Sequence, residues 1–132
     1  MLVGQSFGGS GAISLSADEK SPFKLLVNFA AGSGKDSSPD FPCSPETFAD
    51  RLTAYGKASN KEMLWIYGLN DTYWGKTWPV KWVNAYRNAG GKVEFRQVDS
   101  KTFEGHNLFR SSPEVWVPIV KLYLAKNNAL QP

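Results

Sequence analysis

The apolar positions of this chain fall into runs whose lengths and periods differ. FKLLVNFAAG, from Phe23 to Gly32, has a continuous apolar centre, which predicts a strand buried on both faces. EMLWIYG, from Glu62 to Gly68, has the same character, whereas KVEFRQV, from Lys92 to Val98, alternates and predicts a strand nearer the edge of a sheet. Between these runs the period becomes helical. Ser44 as N-cap, Pro45 at the first helical position and Thr47, Phe48, Leu52 and Tyr55 at helical spacing predict a helix ending near Gly56. Val80 to Ala89 predicts another, with Val80, Val83, Ala85 and Tyr86 facing inward and Gly90 and Gly91 as its C-cap. Pro113 starts the last helix, which runs to about Lys126. At the front, Met1, Leu2 and Val3 predict a strand end, GQSFGGSG a tight turn, and AISLSADE a short helix.

Strands therefore alternate with helices. That order, with short connections, predicts an α/β fold with a mostly parallel sheet flanked by helices on both faces. Ser33 to Pro45, crowded with glycine, serine and proline, is loop. No repeat, low-complexity tract or linker divides residues 1–132, so a single domain is expected.

Composition narrows the function classes. With 42% hydrophobic and 20% charged residues the chain suits one globular domain. A net charge of +3, spread among acidic residues, gives nucleic-acid binding no electrostatic support. No apolar run approaches the roughly 20 residues of a membrane-spanning helix. Cys43, the single cysteine, has no partner for a disulfide, and together with a single histidine it makes no metal cluster.

Gly4, Gln5, Ser6, Phe7 and Gly8 spell G-x-S-x-G, the pattern of a serine held on a strained turn between a strand and a helix. Tightness explains the glycines, because a side chain two residues to either side of the serine is expected to collide with its neighbours. Ser6 would stand at the carboxyl end of the sheet, and the N–H of Phe7 would supply half of an oxyanion hole. Any Ser-His chemistry must use His106, the sole histidine, which lies in the loop after a predicted strand. The third member should be a carboxylate at the end of an intervening strand. Asp71 fits, since it follows MLWIYG directly and a parallel sheet brings all strand carboxyl ends to one edge. Asp99 and Glu104 share the loop of His106 and are poorer orienters across the site.

AAGSGKDS imitates a phosphate loop, but Phe29 stands where the pattern needs glycine and Asp36 where it needs serine or threonine. GQSFGG lacks the spacing of a dinucleotide fingerprint.

GQSFGG, LWIYGLND, AYRNAGGKVEF and EGHNLF together resemble the dienelactone hydrolase branch of the α/β-hydrolases, over nearly the whole chain from Gly4. By motif, the resemblance carries the nucleophile onto Ser6, the acid onto Asp71 and the histidine onto His106. The simplest dienelactone hydrolases use a cysteine nucleophile, so Ser6 points to the serine-esterase and peptidase-like relatives. The resemblance implies hydrolysis of a small ester or related acyl compound, with no cofactor and no metal. A non-catalytic chain that keeps the fold, or a peptidase of the prolyl oligopeptidase type, are the alternatives. Tyr73, Trp74 and Trp78, with Phe7, are candidates for an apolar substrate pocket, while Trp65 and Trp116 are expected in the core.

In that family the nucleophile follows the fifth of eight strands. The resemblance therefore implies that this chain is the carboxyl-terminal portion of the fold, without its first strands and one oxyanion donor. Such a donor contributes roughly 2.7 to 4 kcal/mol in the transition state, so weak activity is expected from this chain alone. Either a second chain supplies the absent half, or the exposed edge pairs with a copy of itself.

Overall fold

The computed structural model describes residues 1–130. Its elements are β1 (Leu2–Gln5), α1 (Phe7–Ser16), β2 (Leu25–Phe29), α2 (Pro45–Ala58), β3 (Glu62–Gly68), α3 (Thr77–Asn88), β4 (Lys92–Val98), α4 (Leu108–Ser111) and α5 (Pro113–Lys126), with a 3-10 turn at Gly105–Asn107. The strands form one sheet in the order β1-β2-β3-β4, every neighbour parallel. Leu26 pairs with Leu2 on one side and Met63 on the other, and Trp65 pairs with Phe95.

The continuous apolar runs are explained by two cores, one on each face. Leu26, Met63, Trp65 and Tyr67 point toward Ile13 of α1, Phe48 and Leu52 of α2, and Trp82 and Tyr86 of α3. Val27, Phe29, Leu64 and Ile66 point the other way, toward Leu108 of α4 and Tyr123 of α5. Successive strand side chains alternate between faces, so a strand covered on both sides must be apolar at every position. β4 has one strand neighbour, and its exposed Lys92 and half-buried Glu94 account for the alternation in its sequence.

Two helices depart from expectation. α3 begins at Thr77, not Val80, and buries Pro79, Trp82, Val83 and Tyr86, a stripe at i, i+3, i+4 and i+7. Val80 lies off that stripe and is 38% exposed, so its expected inward position is corrected. α1 starts at Phe7, well before the expected AISLSADE, and takes in Gly8, Gly9 and Gly11 at some cost in helix propensity, of which Gly9 serves close packing. A Cβ on Gly9 would strike the Asn28 side chain and lie 3.1 Å from the Ala31 Cβ, so α1 lies almost on the end of β2. Ser44 does stand at the N-cap of α2, but in the left-handed region (φ 44°) and without a side-chain capping bond.

Candidate active site

β1 ends at Gln5 and α1 begins at Phe7, so Ser6 alone makes the turn between strand and helix. Its φ of 52° and ψ of −122° are values a non-glycine residue adopts only under constraint. The constraint comes from both neighbours: the Ser6 N–H donates to the Phe29 carbonyl of β2 at 2.9 Å, and its own carbonyl accepts the Ser10 N–H of α1 at 3.1 Å. So tight a turn presses strand against helix. A Cβ on Gly4 would overlap the Gly8 carbonyl and stand 2.8 Å from the Gly9 Cα, whereas a Cβ on Gly8 would meet nothing within 4 Å.

The collision expected at both glycines thus exists only at Gly4, and the second close approach falls on Gly9. Gly4→Ala is expected to unseat α1 and lower the thermal midpoint by several degrees. Gly8→Ala should leave the midpoint unchanged or raise it, since alanine is favoured over glycine in a helix by up to about 1 kcal/mol. Circular dichroism melts of the two variants check the contrast.

Asp71 sits just past β3 and is 1% exposed; His106 sits past β4 and is 6% exposed. The backbones carrying them are in contact, and a Cβ on Gly105 would stand 2.6 Å from the Asp71 nitrogen. Glycine beside the histidine is what allows this approach. The Nδ1 of His106 is 3.1 Å from Oδ2 of Asp71, and its Nε2 is 3.1 Å from Oγ of Ser6. Serine, imidazole and carboxylate, 100 and 35 residues apart in sequence, thus form a continuous hydrogen-bonded row. The other oxygen of Asp71 accepts the backbone N–H of Tyr73 at 2.7 Å and of Trp74 at 3.2 Å, which holds the carboxylate plane in place.

The aromatic candidates occupy three different settings. Tyr73 stacks flat on the His106 ring at 3.8 Å, with the Lys35 ammonium 4.7 Å from its own centroid. Trp74 is 1% exposed, donates its indole N–H to the Ala30 carbonyl at 2.9 Å and meets His106 edge-on at 5.2 Å. It belongs to the core cluster and also lines the groove that Trp78 borders. Trp78 borders an open groove of about 660 Å³ that also touches Asp71 and Phe103 but neither Ser6 nor His106. Phe7 is 69% exposed, and as the first residue of α1 it has no intrahelical partner for its N–H. Trp65 is fully buried, and Trp116 is half-buried with its ring edge-on to Phe29 at 5.1 Å. Trp74→Ala should cost about 3 to 5 kcal/mol of unfolding free energy in urea titrations, because the cavity would open directly beneath the imidazole.

Contacts that sequence reasoning passed over tie the two loops together. Glu104 accepts the backbone N–H of Thr72 at 3.0 Å, the Thr72 hydroxyl, and the backbone N–H of His106 at 2.9 Å. The Gln5 side chain donates to the His106 carbonyl at 3.3 Å, and Asn70 Nδ2 donates to the Thr102 carbonyl at 2.7 Å. The polar residues flanking Asp71 and His106 were the available signal.

No family model and no curated protein matches the chain. Solved structures do. An esterase from Pyrococcus furiosus superposes with a TM-score of 0.66 at 15% identity, over 94% of this chain and 52% of its own. An acylaminoacyl peptidase from Pyrococcus horikoshii gives 0.62 at 15% identity, over 93% and 22%. A Klebsiella pneumoniae protein assigned as a dienelactone hydrolase gives 0.63 at 20% identity, over 94% and 50%. The chain has the α/β-hydrolase fold, and it spans about half the length of the esterase it matches.

Proposed function

We propose that this chain carries the catalytic triad of a serine hydrolase acting on carboxylic esters or related acyl compounds, with Ser6 as nucleophile, His106 as general base and Asp71 as its orienting acid. One observation carries the reading: both nitrogens of the single histidine are engaged at once, Nε2 with Ser6 Oγ and Nδ1 with Asp71 Oδ2. The backbone of Ser6 supports it, because φ 52° with ψ −122° in a G-x-S-x-G turn between strand and helix is the strained conformation that holds a nucleophile clear of the sheet.

In this mechanism His106 takes the proton from Ser6 Oγ as the oxygen attacks the carbonyl carbon. Asp71 fixes the ring with its proton on Nδ1 and stabilises the imidazolium that forms. That imidazolium then protonates the leaving alcohol as the carbon–oxygen bond breaks, leaving an acyl ester on Ser6. Water gives a proton to the same histidine as it attacks the acyl carbon, and the imidazolium returns that proton to Ser6 Oγ as the acyl–oxygen bond breaks and the carboxylic acid leaves. The N–H of Phe7, aligned with the start of α1, donates to the developing oxyanion. A second donor would have to come from another part of the sheet or from a partner. The outer edge of β1, where Met1 is 61% and Val3 44% exposed, is the place for a second chain or a second copy of this one.

A fluorophosphonate probe tests the reading, since only an activated serine reacts with it. Labelling of the intact chain at Ser6, located by peptide mass, is expected. Absence of labelling at long exposure would favour a non-catalytic chain that keeps the fold. A panel of p-nitrophenyl esters against acylated amino-acid amides then separates esterase from peptidase.

A further inference from the structure

Glu104 never touches the imidazole, yet it meets both loops from which the acid and the base project. One of its oxygens, Oε1, accepts two backbone N–H groups, that of Thr72, the residue after the acid, and that of His106 itself. Its other oxygen accepts the Thr72 hydroxyl. The carboxylate is therefore a bridge between the β3 and β4 loops, placed where their relative position decides the distance from Nδ1 to Oδ2. We propose that Glu104 is a positioning residue of the hydrolytic site, a clamp that holds the Asp71 loop and the His106 loop at hydrogen-bonding distance; this rests on the triad reading above.

The geometry supports a clamp over a solvated surface charge. Glu104 is half-buried, and no lysine or arginine pairs with it among the described residues. All of its bonds come from the two loops it joins. Partial burial works against its ionisation, but the bonds from Thr72 and His106, and the charge of a protonated imidazole, outweigh that and hold the carboxyl below the usual glutamate range. A depressed value means that the clamp is present throughout and above the ordinary glutamate range and is released only as pH falls below it. The groups facing His106 are Asp71 on Nδ1, Ser6 on Nε2, Tyr73 across its face with Lys35 near that ring, and Glu104 at its backbone.

Reach and charge can be separated by substitution. Glu104→Gln keeps the length and an oxygen for both N–H groups, and the Thr72 hydroxyl can turn to accept from the new amide. Glu104→Asp keeps the charge but is one methylene too short to bridge, and Glu104→Ala removes both. Two readouts on the full chain apply: the rate of fluorophosphonate labelling, and the downfield proton resonance of the Nδ1–H···Oδ2 bond, which with one histidine in the sequence has a single source. The expected order is parent and Gln alike, with Asp and Ala about 10- to 100-fold slower in labelling and their resonance broadened by exchange.

Three variants indistinguishable from the parent in both readouts would overturn the clamp. So would the reverse order, Asp like the parent and Gln slow, which would make charge the operative property. Should Glu104→Ala fail to fold, the comparison of Asp with Gln decides the matter. A parent chain that shows the resonance but does not label overturns the hydrolase reading, and the clamp is then judged on the resonance. A parent that neither labels nor shows the resonance overturns both.

Discussion

Replacing Ser6 with alanine is expected to abolish fluorophosphonate labelling and to lower any ester turnover of the chain by about a millionfold, the loss seen when the nucleophile of such a triad is removed. Among the described residues the side chain of Ser6 has one hydrogen-bond partner, His106 Nε2, so no other contact of the fold depends on the hydroxyl. Stability should therefore hardly change. Ser6→Gly sharpens the point, because glycine accepts a φ of 52° without the penalty that any side chain incurs there. The glycine variant should be as inactive as the alanine variant yet have the higher denaturant midpoint. A parent midpoint equal to that of Ser6→Gly would mean that the turn is relaxed and that no strain is being held for function.

How far the chain could be read in advance followed from how locally each feature is determined. β3, β4 and α5 lie where the pattern put them, at Glu62–Gly68, Lys92–Val98 and Pro113–Lys126, since apolar runs bounded by turn residues and a proline at N1 are local signals. α1 was not legible, because its glycines look like loop until the strand they pack on is known; the obstacle at Gly9 is Asn28, and nothing in GQSFGGSG reveals that. In α3, Val83 and Tyr86 are buried as read, whereas Val80 is not, and Trp82, which was not named among the inward candidates, is fully buried with its indole N–H donating to the Pro45 carbonyl at 3.0 Å.

Ser6 could be picked out from its G-x-S-x-G turn, His106 as the sole histidine, and Asp71 from strand order, given that parallel strands end at one edge. What could not be picked out was their support. Glu104 was set aside as too near His106 in sequence to orient it, a sound argument about the ring that overlooked the backbone N–H, where its contact lies. Tyr73 and Trp74, adjacent in sequence, divide between the face and the edge of the imidazole only because Asp71 folds the chain into a turn around its own carboxylate.

That turn also determines what an amide would do in place of the acid, and Asp71→Asn is the second variant with a large expected effect. Asp71 Oδ1 accepts the N–H groups of Tyr73 and Trp74, while Oδ2 faces His106. In asparagine only the oxygen can accept those two N–H groups, so the NH2 is left facing Nδ1. A ring nitrogen opposite a donor must present its lone pair, which moves the ring proton to Nε2 and points it at Ser6. The histidine is then held in place but in the tautomer that cannot take the serine proton. Labelling and turnover are expected to fall about 10⁴-fold, with the melting curve close to that of the parent because the turn bonds survive. Asp71→Ala, by contrast, should lose the turn as well and melt lower. A loss under tenfold in Asp71→Asn would mean that the carboxylate shapes the loop through its bonds to Tyr73 and Trp74 and nothing more.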